Sequence, residues 1–259
     1  MSGGAIVGTV LEVDPVQGRV RVLYRVMDDH LESGWAYVAA PLAGASRGML
    51  FMPEVKDEVL LIHGDNDFDH PYVVGYLWNG GQNSPETDAH MRVIKTPGGH
   101  QLRFEDVDNA KKVVLKSDGG RSVTLDDKPG LGQIEVKSGS NRILMDDTAA
   151  GTKIVLQAGT GLGVTLTLTA TPSAALTIDA GGLTQLTIDA SGVSVSTLAV
   201  TKVSCTVMDL TATAALSVTA PVVSVNAALS TFSGVVICDT LSTQAVISAA
   251  YTPGAGNIL

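Results

Sequence analysis

Between residues 100 and 190 the chain repeats one short pattern of apolar and polar positions. The blocks are HQLRFED (100–106), KKVVLKS (111–117), RSVTLDD (121–127), GQIEVKS (132–138), NRILMDD (141–147) and TKIVLQA (152–158), then AALTIDA (174–180) and TQLTIDA (184–190). The first six carry apolar pairs two positions apart: Leu102/Phe104, Val113/Leu115, Val123/Leu125, Ile134/Val136, Ile143/Met145 and Ile154/Leu156. Side chains two apart share one face of a strand, so each block predicts a short strand with one apolar face. The first members of the pairs fall 11, 10, 11, 9 and 11 residues apart. A short, nearly fixed period predicts a stacked, rod-like architecture.

A second regularity lies over the first. Acidic strand ends recur at Glu105-Asp106, Asp126-Asp127 and Asp146-Asp147, whereas the intervening strands end in Ser117, Ser138 and Ala158. Turns such as Asp118-Gly119-Gly120 follow the latter. Strands that differ alternately in their turns predict an antiparallel meander reversing at each step. From 161 onward charge nearly vanishes, leaving Lys202 and the acids Asp179, Asp189, Asp209 and Asp239. The apolar anchors Leu210, Leu216, Val223, Leu229, Val235 and Leu241 stand only six or seven apart. Shorter strands make a narrower prism, so the rod is expected to taper towards its C-terminus.

Residues 1–80 follow a different pattern. AIVGTVLEVD, a turn at Pro15–Gly18 and GRVRVLYRV predict a hairpin; GWAYVAAP (34–41), VKDEVLLIHG (55–64) and PYVVGYLWNG (71–80) complete five strands around a loop containing Gly44 and Gly48. Five short strands in about eighty residues fit a small barrel of the OB type. Trp35, Phe51, Tyr72 and Trp78 are the expected filling of its core.

The run PLAGASRGMLFMPEVKDEVLLIHGDNDFDHPYVVGYLWNG (41–80) resembles the OB domain of the central spike proteins of contractile injection systems, a family that includes phage baseplate assembly protein V and VgrG of type VI secretion. The matching features are Pro-x-Ala-Gly, an apolar-Pro-x-x-x-Asp-Glu-Val strand start, an acidic Gly-Asp turn and His-Pro before the last strand. IKTPGGHQLRFED (94–106) resembles the beginning of that family's spike. The resemblance implies an all-β protein: an OB collar (1–80), a connector (81–99), an elongated, intertwined trimeric β-helix (100–251) shaped as a tapering triangular prism, and a tip segment (252–259). It implies a homotrimer whose collar faces a baseplate hub and whose needle pierces a target membrane when a sheath contracts. VgrG proteins carry a large hub before the OB domain; this sequence starts at the barrel, so the hub is expected to be another polypeptide. No lysozyme-like insertion separates barrel from repeat, and hydrolysis of cell wall is not expected.

The candidate chemistry is sparse. His63, Asp65, Asp67, Asp69 and His70 can be drawn as a metal cluster, yet they read more simply as a solvated acidic turn. The paired acids at strand ends lack the glycine-rich nonapeptide spacing of calcium-binding β-rolls and read as polar turns, pairing with lysines of neighbouring chains. TPGGH (96–100) has no P-loop lysine and no helix after it. No Ser-His-Asp order, Cys-His pair or carboxylate cleft stands out, so no catalytic residue, metal or cofactor is assigned. All five histidines lie in the first hundred residues. A histidine-held metal tip is therefore not expected, and a separate PAAR-type tip protein is. Its candidate landing site is Pro253, Gly254, Ile258 and Leu259, with a frayed terminus as the equal alternative.

Composition trims the remaining readings. The net charge is -9, and residues 1–90 hold five Lys or Arg against thirteen Asp or Glu. Phosphate binding needs the reverse balance, which disfavours a nucleic-acid-binding OB fold. A surface adhesin or β-helical fibre is the main alternative; a membrane β-barrel would want aromatic girdles, and aromatics are only 4%. No signal peptide is visible, and cytoplasmic synthesis followed by assembly into a baseplate is expected. Cys205 and Cys238 are expected as buried free thiols.

Overall fold

A computed structural model describes residues 4–25, 31–64, 67–148, 151–161 and 163–248. Among these no α-helix occurs; strands, turns and extended chain make the whole. The chain divides into two compact units, 1–202 and 203–259.

The first unit begins with a closed barrel. Its strands are β1 (Ile6–Asp14), β2 (Arg19–Tyr24), β3 (Ala36–Val38), β6 (Glu58–His63) and β7 (Pro71–Leu77), hydrogen-bonded in the order β1-β2-β3-β7-β6. Strict alternation builds the core. Val10, Val20, Val22, Tyr24, Ala36, Val59, Leu61 and Val73 point inward and are buried. Register slips between Val10 and Glu12 on β1 and between Leu60 and Leu61 on β6 supply the bends that a small closed sheet requires. Gly8 sits where β1 passes closest to the core; a Cβ there would lie 3.0 Å from Leu61 Cδ1 and 3.1 Å from the Leu23 carbonyl oxygen. One polar group is enclosed. Ser33 accepts from the Val22 amide at 3.0 Å and donates to the Gly34 carbonyl at 2.7 Å, so burial leaves its hydroxyl satisfied.

The barrel is not filled as expected. Phe51, Tyr72 and Trp78 are exposed, and Trp35 lies half-buried with the Arg19 guanidinium 4.7 Å from its ring centre. The interior of five short strands is narrow, and Val, Leu and Ala36 with the single ring of Tyr24 already fill it, leaving Phe51, Tyr72 and Trp78 outside. The loop with Gly44 and Gly48 is a small hairpin, β4 (Ala43–Gly44) and β5 (Arg47–Gly48).

The repeats form a single eleven-stranded antiparallel meander, β8 to β18 in sequence order. It comprises β8 (Met91–Lys95), β9 (Gln101–Glu105), β10 (Lys112–Lys116), β11 (Ser122–Lys128), β12 (Leu131–Ser138), β13 (Asn141–Thr148), β14 (Gly151–Ala158), β15 (Val164–Thr169), β16 (Ala175–Ala180), β17 (Thr184–Asp189) and β18 (Gly192–Thr197). The sheet thus begins inside the segment expected as connector, because β8 pairs with β9. It ends at Thr197, well short of residue 251. Residues 198–248 carry no strand, and their apolar side chains are exposed, Val235 at 90%. The physical reason lies in the period. Six or seven residues per step leave three or four for a strand once the turn is made, too few to hold a hairpin by itself. Cys205 and Cys238 are free but exposed, not buried as expected, because they lie on this strandless stretch.

Candidate interaction surface

Register, not only pattern, organises the large sheet. Following cross-strand partners from β8 gives Ile94, Leu102, Leu115, Val123, Val136, Ile143, Leu156, Leu166, Ile178, Leu186 and Val195, an unbroken aliphatic column. Two residues along each strand, on the same face, runs a second: Phe104, Val113, Leu125, Ile134, Met145, Ile154, Leu168, Leu176, Ile188 and Val193, with Arg92 at its β8 end. No described element covers this face. Ile134 is 42% exposed and Met145 49%. A concavity of about 600 Å³ opens on it around Leu125, Ile134, Met145 and Ile154. A contiguous apolar face of this extent marks a place where something docks.

The opposite face carries the charges. Lys112 and Asp126 meet at 2.9 Å, Lys137 and Glu135 at 2.7 Å, and Lys153 and Asp146 at 3.4 Å. The hydrogen bond from Lys112 holds the Asp126 carboxyl below its usual range, and the same bond pushes the Lys112 ammonium up. From β15 onward this face turns to Thr167, Thr177, Thr187 and Ser194. Each acidic doublet is thereby split, because adjacent residues point to opposite faces. Glu105, Asp126 and Asp146 lie on the charged face, paired with Arg103 (3.3 Å), Lys112 and Lys153. Asp106, Asp127 and Asp147 lie at the rim of the apolar face. Asp106 pairs with Arg92 at 2.9 Å, while the carboxylates of Asp127 and Asp147 have no partner among the described residues.

Among the described residues, the side chains of the acidic turn do not gather into one centre. His63 Nε2 shares a hydrogen bond with the Tyr24 hydroxyl at 3.0 Å, and its ring packs on Phe68. Burial pulls the His63 pKa down and pushes the Tyr24 pKa up. His70 instead pairs with Asp67 at 2.9 Å, and the Asp69 amide donates to the other Asp67 oxygen at 2.9 Å. That amide, followed by His70, keeps the Asp67 carboxyl below its usual range. Asp65 lies outside the described residues. The arrangement is a self-satisfied turn leading from β6 into β7.

A closed five-stranded barrel feeding a long antiparallel meander is the architecture expected above. Residues 6–78 match the family described as the type VI secretion system/phage-baseplate injector OB domain. The barrel of this chain is an injector OB domain. The match runs from the start of β1 to just beyond β7 and leaves the meander outside it. No curated protein matches the chain. The injector OB domain is a structural, baseplate-related module, and its presence assigns the chain a structural role connected with the baseplate spike.

Sequence reasoning missed one feature of the injector domain. Leu42, Leu50 and Phe51 are exposed about the β4–β5 hairpin and line a groove of about 660 Å³ together with Tyr37 and Pro15. Tyr76 reaches across to donate to the Phe51 carbonyl. The signal was present as a glycine-flanked apolar run, LAGASRGMLF, which was expected as a plain loop. The candidate tip residues Pro253, Gly254, Ile258 and Leu259 lie outside the described residues.

Proposed function

We propose that this chain is the central spike of a contractile injection machine, working as a homotrimer that is driven through a target membrane. The observation that carries the reading is the pair of aliphatic columns over eleven strands, uncovered by any described element and joined to an injector OB domain. Three copies turning these faces towards a common axis would bury the columns and leave the charged and threonine-rich face to water. A structure closed in this way resists unfolding, because many interchain contacts must fail together. The barrel would meet a hub protein of the baseplate. The segment beyond Thr197, too finely divided to pair with itself, would gain its backbone partners from the other two chains and end against a PAAR-type tip protein. No chemical step falls to the chain; the sheath supplies the work.

The test is location. An epitope inserted at the Gly130 turn, viewed by electron microscopy in intact particles, is expected on the particle axis below the hub. Label along tail fibres or at the particle's flank would overturn the reading in favour of a fibre or adhesin.

A further inference from the structure

Every second strand of the first half of the sheet is polar in a directional sense. β9, β11 and β13 run the same way. Reading along the rim positions of the apolar face, each is preceded or opened by a donor (His100, Arg121, Asn141) and closed by an acid (Asp106, Asp127, Asp147). The middle level is the least satisfied within the chain. Arg121 uses only its backbone amide and carbonyl, both towards Ser117, and Asp127 only its backbone amide, towards Lys111. Both side chains are exposed and make no ion pair among the described residues. Nor can they meet each other, for they stand at opposite ends of one strand, roughly 20 Å apart at ~3.3 Å per residue.

Two complementary charges on opposite ends of one strand describe a head-to-tail contact between copies. We infer that Arg121 of one copy pairs with Asp127 of the next, forming a ring of three ion pairs where the apolar faces meet. This deepens the trimer reading proposed above and rests on it. In a cyclic assembly about an axis along which the strands stack, equivalent strands share one level, so the closing end of β11 abuts the opening end of β11 in the neighbour. The same geometry sets Asp147 against the Asn141 amide, whose oxygen already accepts from the Gly159 amide at 3.1 Å while its NH₂ remains to donate. The first level is weaker, since Asp106 is held by Arg92 in its own chain. On β11 the level partner is an arginine, able to grip a carboxylate through two parallel hydrogen bonds. The pairing fixes direction and level, so a copy displaced by one strand would set Asp127 against Ser117 or Ser138.

The full chain serves as the sample, with trimer dissociation followed by sedimentation across a dilution series. Arg121→Asp alone places acid against acid and is expected to raise the dissociation midpoint at least tenfold; Asp127→Arg alone should do likewise. The double reversal Arg121→Asp/Asp127→Arg restores opposite charges and should return the midpoint to within about threefold of wild type. Because the two residues cannot touch within one chain, restoration can come only from contact between copies. Tryptophan fluorescence confirms that each variant keeps its barrel folded. A trimeric wild type whose single variants dissociate like the parent, or whose double variant suffers both losses together, overturns the pairing and leaves the trimer standing. A monomeric wild type overturns both.

Discussion

Ile134 offers the sharpest mutational test, because its consequences differ by orders of magnitude according to what faces it. The side chain sits mid-sheet in the second aliphatic column and is 42% exposed in the single chain. Complete burial of an isoleucine is worth about 1.5–3 kcal/mol, so covering the remaining fraction contributes about 1 kcal/mol per copy and about 3 kcal/mol per trimer. Ile134→Asp removes that gain and places three carboxylates around the axis, each costing several kcal/mol to desolvate. The summed penalty is on the order of 10 kcal/mol per trimer, enough to abolish assembly at micromolar concentration. A chain whose apolar face simply met water would respond as a surface position does, within about ±0.5 kcal/mol. Gln185→Glu, exposed on the opposite face, is the control and should leave assembly unchanged. Sedimentation velocity reads association, and tryptophan emission reports folding of the barrel, which contains Trp35 and is followed closely by Trp78. Wild-type association by Ile134→Asp would refute the reasoning outright.

Other outcomes follow from the same structure. Leu61→Ala empties the centre of the barrel, where Leu61 is fully buried, and should cost about 2–5 kcal/mol, read as a lower denaturation midpoint of the tryptophan signal. The Lys112–Asp126 pair gives a signed pH response. Asp126 is depressed below 3.8, so its contribution is present above that value and fades as pH falls through its lower folded pKa; Lys112 is raised above 10.5, so its contribution holds below that value and fades as pH climbs through its higher one. Asp126→Asn should therefore narrow the gap in melting temperature between pH 7 and pH 2, and an unchanged gap would count against the pair. Gly151→Ala introduces a Cβ at a φ of 142° against the Thr171 carbonyl oxygen, and is expected to destabilise the sheet by about 1–3 kcal/mol in thermal melts.

The parts of the fold legible in the sequence are those that depend on alternation alone. The five barrel strands and the repeated pairs from Leu102/Phe104 to Ile154/Leu156 announce themselves because each buries or aligns one face, and a period of two has little other use. Register was implicit too, since turns of steady length bring each pair opposite the next. What alternation does not carry was lost. Met91–Lys95 has apolar groups on both faces, Val93 on one and Ile94 on the other, so it reads as neither strand nor loop. Phe51 and Trp78 look like core by composition, but a pattern of hydrophobicity cannot tell the inside of a narrow barrel from a patch beside it. The tract from Leu198 to Ser248 shows the reverse case: alternation is present, yet no neighbouring strand exists within the described chain to receive its hydrogen bonds. The division of each acidic doublet between two faces was recoverable from parity, and only the paired register revealed which acid lacks a partner.

If copies of the same chain cover the two aliphatic columns, the mass of the assembly must show it. Light scattering coupled to gel filtration measures it most directly. A particle of three times the 26.7 kDa chain mass, persisting in mild denaturant, is the expected result. A well-folded species at the mass of one chain would contradict it.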